Sequence, residues 1–175
     1  MIIIYNSLTG FTEKYAKLLA KNLGFEAKSL NDYKQIPKNS EVIFLGWVYA
    51  GFIQGLKKAE RKFKVKAIIA VGVSDETETT ILNLAKQNKI SERELFFLRG
   101  GVAIDKLKGF KKFLLSMVLK SQYNHEQQVE NLSGKKMEIN WLDVLQNGID
   151  FVDEKKLKPI IQWYSDFLKN NGTNN

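Results

Sequence analysis

Near its N-terminus the chain reads Ile2-Ile3-Ile4-Tyr5-Asn6-Ser7-Leu8-Thr9-Gly10-Phe11-Thr12, and this stretch decides the fold. Its first four residues are β-branched or aromatic and carry no charge, which is typical of a strand buried on both faces of a parallel sheet. After the stretch, apolar residues recur at helical spacing as far as Leu23, with charged residues on the opposite side. This pattern predicts an amphipathic helix. The hydroxyl-rich segment therefore forms a turn from strand to helix.

That turn, Ser7 to Thr12, has the chemistry of a phosphate site. The first backbone N–H groups of a helix have no partner within the helix, and the helix dipole places partial positive charge there. A phosphate bound at this position would meet those groups, and the Ser and Thr hydroxyls could complete its hydrogen bonds. The alternative is that one of the hydroxyls only caps the helix.

Strand and helix patterns alternate along the first hundred residues. The predicted strands are Ile2–Asn6, Phe25–Ser29, Glu41–Gly46, Lys66–Val73 and Leu95–Leu98. The predicted helices between them are Thr12–Leu23, Gln54–Phe63 and Thr77–Asn88, and Asp75 with Glu78 has capping-box spacing at the start of the third. Such alternation favours a parallel sheet with helices on both faces, so the fold class is α/β.

We expect a single domain over residues 1–170 and a flexible tail at 171–175, because no Pro-rich or Ser-rich linker and no internal repeat divides the chain. A last amphipathic helix is predicted from the apolar residues between Leu157 and Leu168, with Pro159 tolerated only in its first turn. Asn140 with Asp143 indicates a short helix that ends near Gly148.

The segment Phe110–Lys120 carries an apolar helical stripe that is flanked by lysines. The stripe is typical of a helix that faces the core. Its width and flanking charge also leave open a contact with a membrane surface or a lipophilic substrate.

The chain carries a net charge of +8 and has a pI near 9.5, which raises the question of an anionic partner. Its cations are mostly scattered lysines, and arginine occurs only at Arg61, Arg93 and Arg99. Nucleic-acid binding is disfavoured, because there are few arginines, whose planar guanidinium groups recognise bases and phosphates, and because aromatic residues do not alternate with the lysines. A membrane surface or an acidic protein partner stays open.

The composition of the chain excludes several other classes of protein and site. There are no cysteines, which excludes disulfides and thiolate metal sites and fits a reducing cytoplasm. The longest uncharged apolar run, Val42–Ile53, has 12 residues and is too short to span a bilayer. His125 is the only histidine and lies in a polar stretch, so the sequence does not support a histidine-dependent triad. The acidic residues from Asp75 to Glu78 suit a helix start and need no metal. We expect a cytoplasmic protein without a signal peptide and without a metal.

The segment Ser7-Leu8-Thr9-Gly10-Phe11-Thr12 resembles the phosphate loop of flavodoxin-like proteins, in sequence and in its place after the first strand. The resemblance implies a three-layer α/β/α sandwich with five parallel strands in the order 2-1-3-4-5. It also implies FMN, bound off the carboxyl ends of the first and third strands.

The next loop resembles one particular branch of that family. Gly46-Trp47-Val48-Tyr49-Ala50-Gly51-Phe52 is similar to the second loop in the branch that contains menaquinone-dependent protoporphyrinogen dehydrogenase. Gly100-Gly101, Phe110–Lys120 and Phe151-Val152-Asp153 agree with that branch, and the resemblance covers Met1–Lys120 and Asp150–Lys169.

The resemblance assigns roles to three loops. Ser7, Thr9 and Thr12 would bind the FMN phosphate through hydroxyls, and Leu8, Gly10 and Phe11 through backbone N–H groups. In the second loop, Trp47 or Tyr49 would stack on the flavin ring, next to Val48, while the small residues Ala50 and Gly51 leave room for backbone hydrogen bonds. The third loop, Gly72-Val73-Ser74, would approach the other ring face. Trp47 and Tyr49 could instead be core aromatics, because their neighbours are all uncharged.

Two segments differ from that branch. Its members carry a long basic loop after the fourth strand, whereas Ser74–Thr80 is short and acidic, and residues 122–149 form an expanded, family-variable segment.

The resemblance implies an FMN-dependent oxidoreductase that passes electrons from a porphyrinogen-like substrate to a quinone. The alternatives are an electron-transfer flavodoxin that serves a protein partner, and an interaction protein of this fold without FMN. Catalytic residues are not assigned, because the flavin would carry the chemistry.

Overall fold

The structure is a computed structural model that describes residues 1–90, 94–103 and 147–172. The chain forms two compact units. One unit comprises Met1–Gly100 and Phe151–Asn175, and the other is Gly101–Asp150. The expectation of a single domain over residues 1–170 stays a prediction.

A sheet forms the centre of the first unit. Its parallel strands are β1 (Ile2–Asn6), β2 (Ala27–Ser29), β3 (Glu41–Tyr49), β5 (Lys64–Gly72) and β6 (Glu94–Arg99), and β4 (Phe52–Ile53) pairs antiparallel with β3. The parallel strands lie in the order β2-β1-β3-β5-β6. Counted as parallel strands alone, this is the expected order 2-1-3-4-5.

The helices of this unit are α1 (Phe11–Leu23), α2 (Leu56–Glu60), α3 (Glu78–Asn88) and α4 (Lys158–Gly172), with 3-10 turns at Leu30–Gln35 and Glu154–Leu157. The helix predicted at Gln54–Phe63 is shorter in the structure and spans only Leu56–Glu60. Pro159 lies in the first turn of α4, as expected, and this helix continues to Gly172.

Two hydrophobic clusters cover the two faces of the sheet. On one face, Ile3, Ile43 and Ile69 pack with residues of α1 and α4. On the other face, Ile4, Phe44 and Ile68 pack with residues of α2 and α3. Adjacent strand residues point to opposite faces, so the uninterrupted apolar runs fill both clusters. The three-layer α/β/α fold is therefore confirmed.

The second unit contains an antiparallel pair, β7 (Gly101–Val102) and β8 (Ile149–Asp150). Asn147 is helical and Gly148 is not, so the predicted short helix ends where expected, while its start lies outside the described residues. Phe110–Lys120, His125 and nearly all of residues 122–149 also lie outside them, and their predicted roles stay predictions. Across the described parts of the chain, no helix is long and apolar enough to cross a membrane.

Candidate functional site

The three predicted loops begin at one edge of the sheet. In the strand register Asn6 pairs with Gly46, Trp47 with Val71, and Gly72 with Arg99. All these strands are parallel, so the segments that follow them leave the sheet at the same carboxyl edge. The turn after β1 and the end of β3 are neighbours there, at the point where the strand order reverses.

The first loop leaves the N-terminus of α1 without a side-chain cap. Gly10 is the N-cap residue, with φ 99° and ψ −16°, and no side chain hydrogen-bonds to the helix start from this position. Ser7 Oγ instead accepts a hydrogen bond from the Gly10 N–H at 3.1 Å, which closes the turn before the helix. The interpretation of these hydroxyls as helix caps is therefore wrong. Glycine suits the position because it adopts positive φ without strain.

Thr12 is the second helical residue, and its environment is unusual for a hydroxyl. It is only 2% exposed. Among the described residues its side chain has no hydrogen-bond partner. A buried hydroxyl without a partner is destabilising, and such groups commonly mark a place where a ligand or water completes the structure. Its position in the first turn of α1 places this acceptor and donor beside the uncapped helix end.

The second segment differs from the predicted loop. The strand β3 does not end at Gly46 but continues to Tyr49, and it turns back through Ala50 and Gly51 into β4. Trp47, Val48 and Tyr49 are therefore strand residues. The two turn residues have φ of 48° and 77°, and positive φ at both central positions is the mark of a tight hairpin whose twist matches its strands.

Helix α3 holds this hairpin from outside. The Gln87 side-chain amide donates to the Ala50 carbonyl at 3.0 Å, and the Asn88 amide donates to the Gly51 carbonyl at 2.8 Å. Asn88 Oδ1 in turn accepts from the Ile53 N–H at 2.9 Å. The carbonyls of both turn residues thus each accept a hydrogen bond from α3.

The aromatic residues of the hairpin stand outside the core. Trp47 is half-buried and belongs to neither hydrophobic cluster, while Tyr49 is 39% and Phe52 46% exposed. The Trp47 and Tyr49 rings lie 5.9 Å apart at 47°. The interpretation of Trp47 and Tyr49 as core aromatics is therefore wrong. The hairpin carries apolar rings to the surface at the carboxyl edge.

The third segment, Gly72-Val73-Ser74, is tied to the end of β6. The Gly100 N–H donates to the Gly72 carbonyl at 2.7 Å, and Arg99 Nε donates to the Val73 carbonyl at 3.2 Å. Gly72 is the last residue of β5, and Ser74 is exposed. A Cβ atom built on Gly72 would lie 3.6 Å from the Val48 Cβ, so this segment adjoins the hairpin strand.

The predicted capping box at Asp75 is wrong. Thr77 caps α3, and its hydroxyl accepts from the Thr80 N–H at 3.1 Å. Asp75 instead forms an ion pair with Arg99, with 2.8 Å between Oδ1 and Nη1. The hydroxyl that lies nearest to the helix start in the chain takes the cap, so the carboxylate two residues earlier is available to Arg99.

Arg99 was not predicted from the sequence. Besides its contacts with Val73 and Asp75, its guanidinium lies 3.9 Å from the centre of the Phe151 ring. Gly100 lies beside it, and a Cβ there would be 3.4 Å from the Phe11 Cβ. This arginine therefore links the third loop to Phe151, the residue at which the chain re-enters the first unit. A pairing between residues so distant in the chain leaves no local signal.

Tyr15 was likewise not predicted from the sequence to belong to this region. It is fully buried, donates from its hydroxyl to the Arg99 carbonyl at 2.8 Å and accepts from the Asp153 N–H at 3.1 Å. The hydroxyl thus joins α1, which follows the first loop, to the end of β6 and to the returning chain.

Charges near the first loop are paired. Glu13, in the first turn of α1, lies 2.6 Å from Lys17. Burial, reinforced by the Glu13 charge and hydrogen bond, raises the pKa of Tyr5. Within the described residues no three His, Asp or Glu side chains cluster as metal ligands would. The loop therefore offers a phosphate neutral donors and the helix dipole rather than a side-chain cation.

The strand order and the switch point define a flavodoxin-like doubly wound fold. No known family model matches the chain. No curated protein matches it either.

Two solved structures are similar to the chain in part. One is a flavodoxin, WrbA-like protein from Agrobacterium tumefaciens, with 17% identity, 49% of this chain and 71% of that chain covered, and a TM-score of 0.34. The other is a flavodoxin from the domain Archaea, with 11% identity, 57% and 83% coverage, and a TM-score of 0.31. The fold class rests on the observed topology, not on these low scores.

Proposed function

We propose that this protein binds FMN at the carboxyl edge of its sheet and acts in electron transfer through the flavin. The observation that carries the proposal is the first loop: an uncapped helix N-terminus beside the buried hydroxyl of Thr12, which has no hydrogen-bond partner among the described residues. Both features lie at the switch point between β1 and β3, where doubly wound folds bind their ligands.

The phosphate would be held without a cation. The hydroxyls of Ser7, Thr9 and Thr12 would donate to its oxygens, together with backbone N–H groups of Leu8 and Phe11. The Gly10 N–H donates to Ser7 Oγ, so the role of Gly10 is to shape the turn. Helix N-termini bind phosphate in this way because N–H groups and the dipole act together.

The flavin ring would lie by the hairpin. Trp47 and Tyr49 offer apolar ring surface at this edge, and Gln87 and Asn88 hold the turn between β3 and β4 in place. Gly72, Val73 and Ser74 would border the ring on the other side. The flavin supplies one- and two-electron chemistry when bound, and the protein sets its orientation and exposure to water.

The finer proposal is an oxidoreductase similar to protoporphyrinogen dehydrogenases, with a quinone as acceptor. The exposed rings of Tyr49 and Phe52 support a lipophilic acceptor, since they give it an apolar surface beside the flavin site. The acidic segment Ser74–Thr80 does not add support for a carboxylated substrate. Asp75 pairs with Arg99, and Glu76 pairs with Lys156 at 3.0 Å, so these two cations are already paired.

Two alternatives use the same edge. An electron-transfer module would dock a protein partner on the exposed hairpin. An interaction protein without FMN is the second alternative, in which the hydrogen bonds from α3 to the Ala50 and Gly51 carbonyls would hold the hairpin without a ligand. A peripheral membrane contact through Phe110–Lys120 stays a prediction, because the described residues do not include that segment.

Titration of the purified apoprotein with FMN tests the central proposal, read as quenching of flavin fluorescence. Thr12→Val removes the hydroxyl and keeps the shape, and we expect at least about tenfold weaker FMN binding from the loss of a hydrogen bond to a charged group. Thr79→Val, an exposed residue in the first turn of α3, is the matched control. Riboflavin, which lacks the phosphate, should bind wild type and Thr12→Val alike.

Absence of quenching in the wild type would overturn FMN binding. An equal loss of riboflavin binding in Thr12→Val would show that the variant has lost its structure and not a phosphate contact. If FMN binds, an anaerobic assay with protoporphyrinogen and a menaquinone analogue separates the redox roles. Turnover supports the dehydrogenase, and its absence favours the shuttle.

A further inference from the structure

A cavity of about 170 Å³ lies in the first unit, near the amino ends of β3 and β5. It is lined by Tyr33, Lys34, Ile36, Lys38, Lys62 and Phe63. Lys38 comes shortly before the start of β3, and Phe63 comes directly before β5. Because the candidate FMN site lies at the carboxyl ends of the same strands, the cavity is at the opposite edge of the sheet.

The cavity has apolar walls. Ile36 is 4% and Phe63 5% exposed, and both belong to the hydrophobic cluster that covers this face of the sheet. Tyr33 packs against that cluster and is half-buried. The Lys58 and Lys62 ammonium groups lie 4.4 and 5.5 Å from the centre of its ring. A ligand in the cavity would therefore meet apolar side chains and, around them, cations.

The stretch of chain that contains the lining residues carries most of the surplus positive charge. Residues 34–66 contain eight Lys or Arg and two Glu, a surplus of six out of the net charge of +8. Glu41 is paired with Lys66 at 3.0 Å. Within the described parts of the chain, no carboxylate forms an ion pair with Lys34, Lys38, Lys58 or Lys62.

Apolar walls with cations that lack carboxylate partners suit one chemical class of ligand. An anionic head group would gain ion pairs from the lysines, and an apolar body would pack against the half-buried Tyr33 and against the small exposed parts of Ile36 and Phe63. The volume is sufficient for one ring, since a cavity of about 150 Å³ lined by apolar side chains is large enough to bind benzene.

We propose that this cavity binds a small organic anion with a single ring. The ring lies against Ile36, Phe63 and Tyr33, and the carboxylate or phosphate is held by Lys34, Lys38 and Lys62. The site does not depend on FMN, because it lies at the other edge of the sheet.

Benzoate is the probe, with two comparators that each lack one half of it. Benzyl alcohol has the ring without the charge, and acetate has the carboxylate without the ring. In a titration followed by ¹H–¹⁵N NMR, we expect saturable shifts at Tyr33–Lys38 and Lys62–Phe63 with benzoate. We expect binding of each comparator to be at least about fivefold weaker, as the loss of one ion pair or one apolar contact of about 1 kcal/mol implies.

The double variant Lys38→Gln/Lys62→Gln should weaken benzoate binding about fivefold or more, since two ion pairs are removed. Lys21→Gln/Lys86→Gln is the matched control, with the same change of net charge on two exposed helices. It should bind benzoate like the wild type.

Three results would overturn the proposal. The first is the absence of saturable shifts with millimolar benzoate, and the second is a comparator, acetate or benzyl alcohol, that binds as tightly as benzoate. The third is an equal loss of benzoate binding in both double variants. If the cavity variant does not fold, the comparison of the three probes on the wild type still decides. FMN titration of the same samples is independent, so failure here leaves the flavin proposal untouched.

Discussion

Arg99 and Asp75 form an ion pair across the ends of two neighbouring strands, with 2.8 Å between Nη1 and Oδ1. The same guanidinium hydrogen-bonds the Val73 carbonyl and covers the Phe151 ring. One side chain thus holds the third loop to the end of β6 and to the returning chain.

Replacing the arginine should cost more than replacing the aspartate. Arg99→Gln loses the ion pair, the backbone hydrogen bond and the ring contact, and we expect unfolding free energy to fall by about 1–3 kcal/mol. Asp75→Asn loses only an exposed partner, whose side chain is 66% accessible, so about 1 kcal/mol or less is expected. Urea unfolding of both variants measures the difference. Equal losses would show that the ion pair alone accounts for the role of Arg99.

Gly100 should not accept a larger side chain. A Cβ there would lie 2.7 Å from Val71 Cγ1 and 3.4 Å from the Phe11 Cβ, so Gly100→Ala displaces a core strand or the first loop. We expect a loss of about 1–3 kcal/mol in stability, typical of overpacking, together with weaker FMN binding. Gly24→Ala is the control: its φ of 68° makes alanine unfavourable, but nothing lies within 4 Å. That variant should lose stability and keep its FMN affinity.

The buried hydroxyl of Tyr15 should contribute measurably to stability. Tyr15→Phe leaves the Asp153 N–H and the Arg99 carbonyl without this partner, and the expected cost is about 1–3 kcal/mol. Tyr164→Phe serves as the comparison, because no hydrogen bond of its hydroxyl is seen among the described residues. It should change thermal stability little. Similar melting temperatures for the two variants would contradict the role of Tyr15.

Tyr5 should make stability depend on alkaline pH. Its pKa is raised above 10.0 by burial first and by Glu13 second, so the folded state favours the neutral phenol. That contribution is fully present below the unfolded pKa and is lost as pH rises through the folded pKa. Glu13→Gln should move the Tyr5 pKa back toward its ordinary value, as ultraviolet titration of the phenolate would show. Tyr5→Phe identifies the signal, and an unchanged titration in Glu13→Gln would contradict the assignment.

The sequence was sufficient for features that depend on local pattern. Uncharged β-branched runs alternating with amphipathic segments predicted the parallel α/β sheet, because a strand buried on both faces must be apolar throughout. The first loop was also visible, since strand, hydroxyl-rich turn and helix follow one another in the chain. Helix and strand ends were less well predicted: the run after Gly46 looked like a loop, although the strand continues to Tyr49.

What the sequence by itself determined about this protein is the α/β alternation and the hydroxyl turn from Ser7 to Thr12. Only the tertiary structure decided the contacts that this turn makes. Packing showed that Gly10 leaves the helix without a side-chain cap and that, within the described parts of the chain, the buried Thr12 hydroxyl has no hydrogen-bond partner. It also decided the hairpin at Ala50 and Gly51, which α3 holds, and the pairing of Arg99 with Asp75. These contacts join residues far apart in the chain, and their free energy depends on burial and distance, which no local pattern encodes.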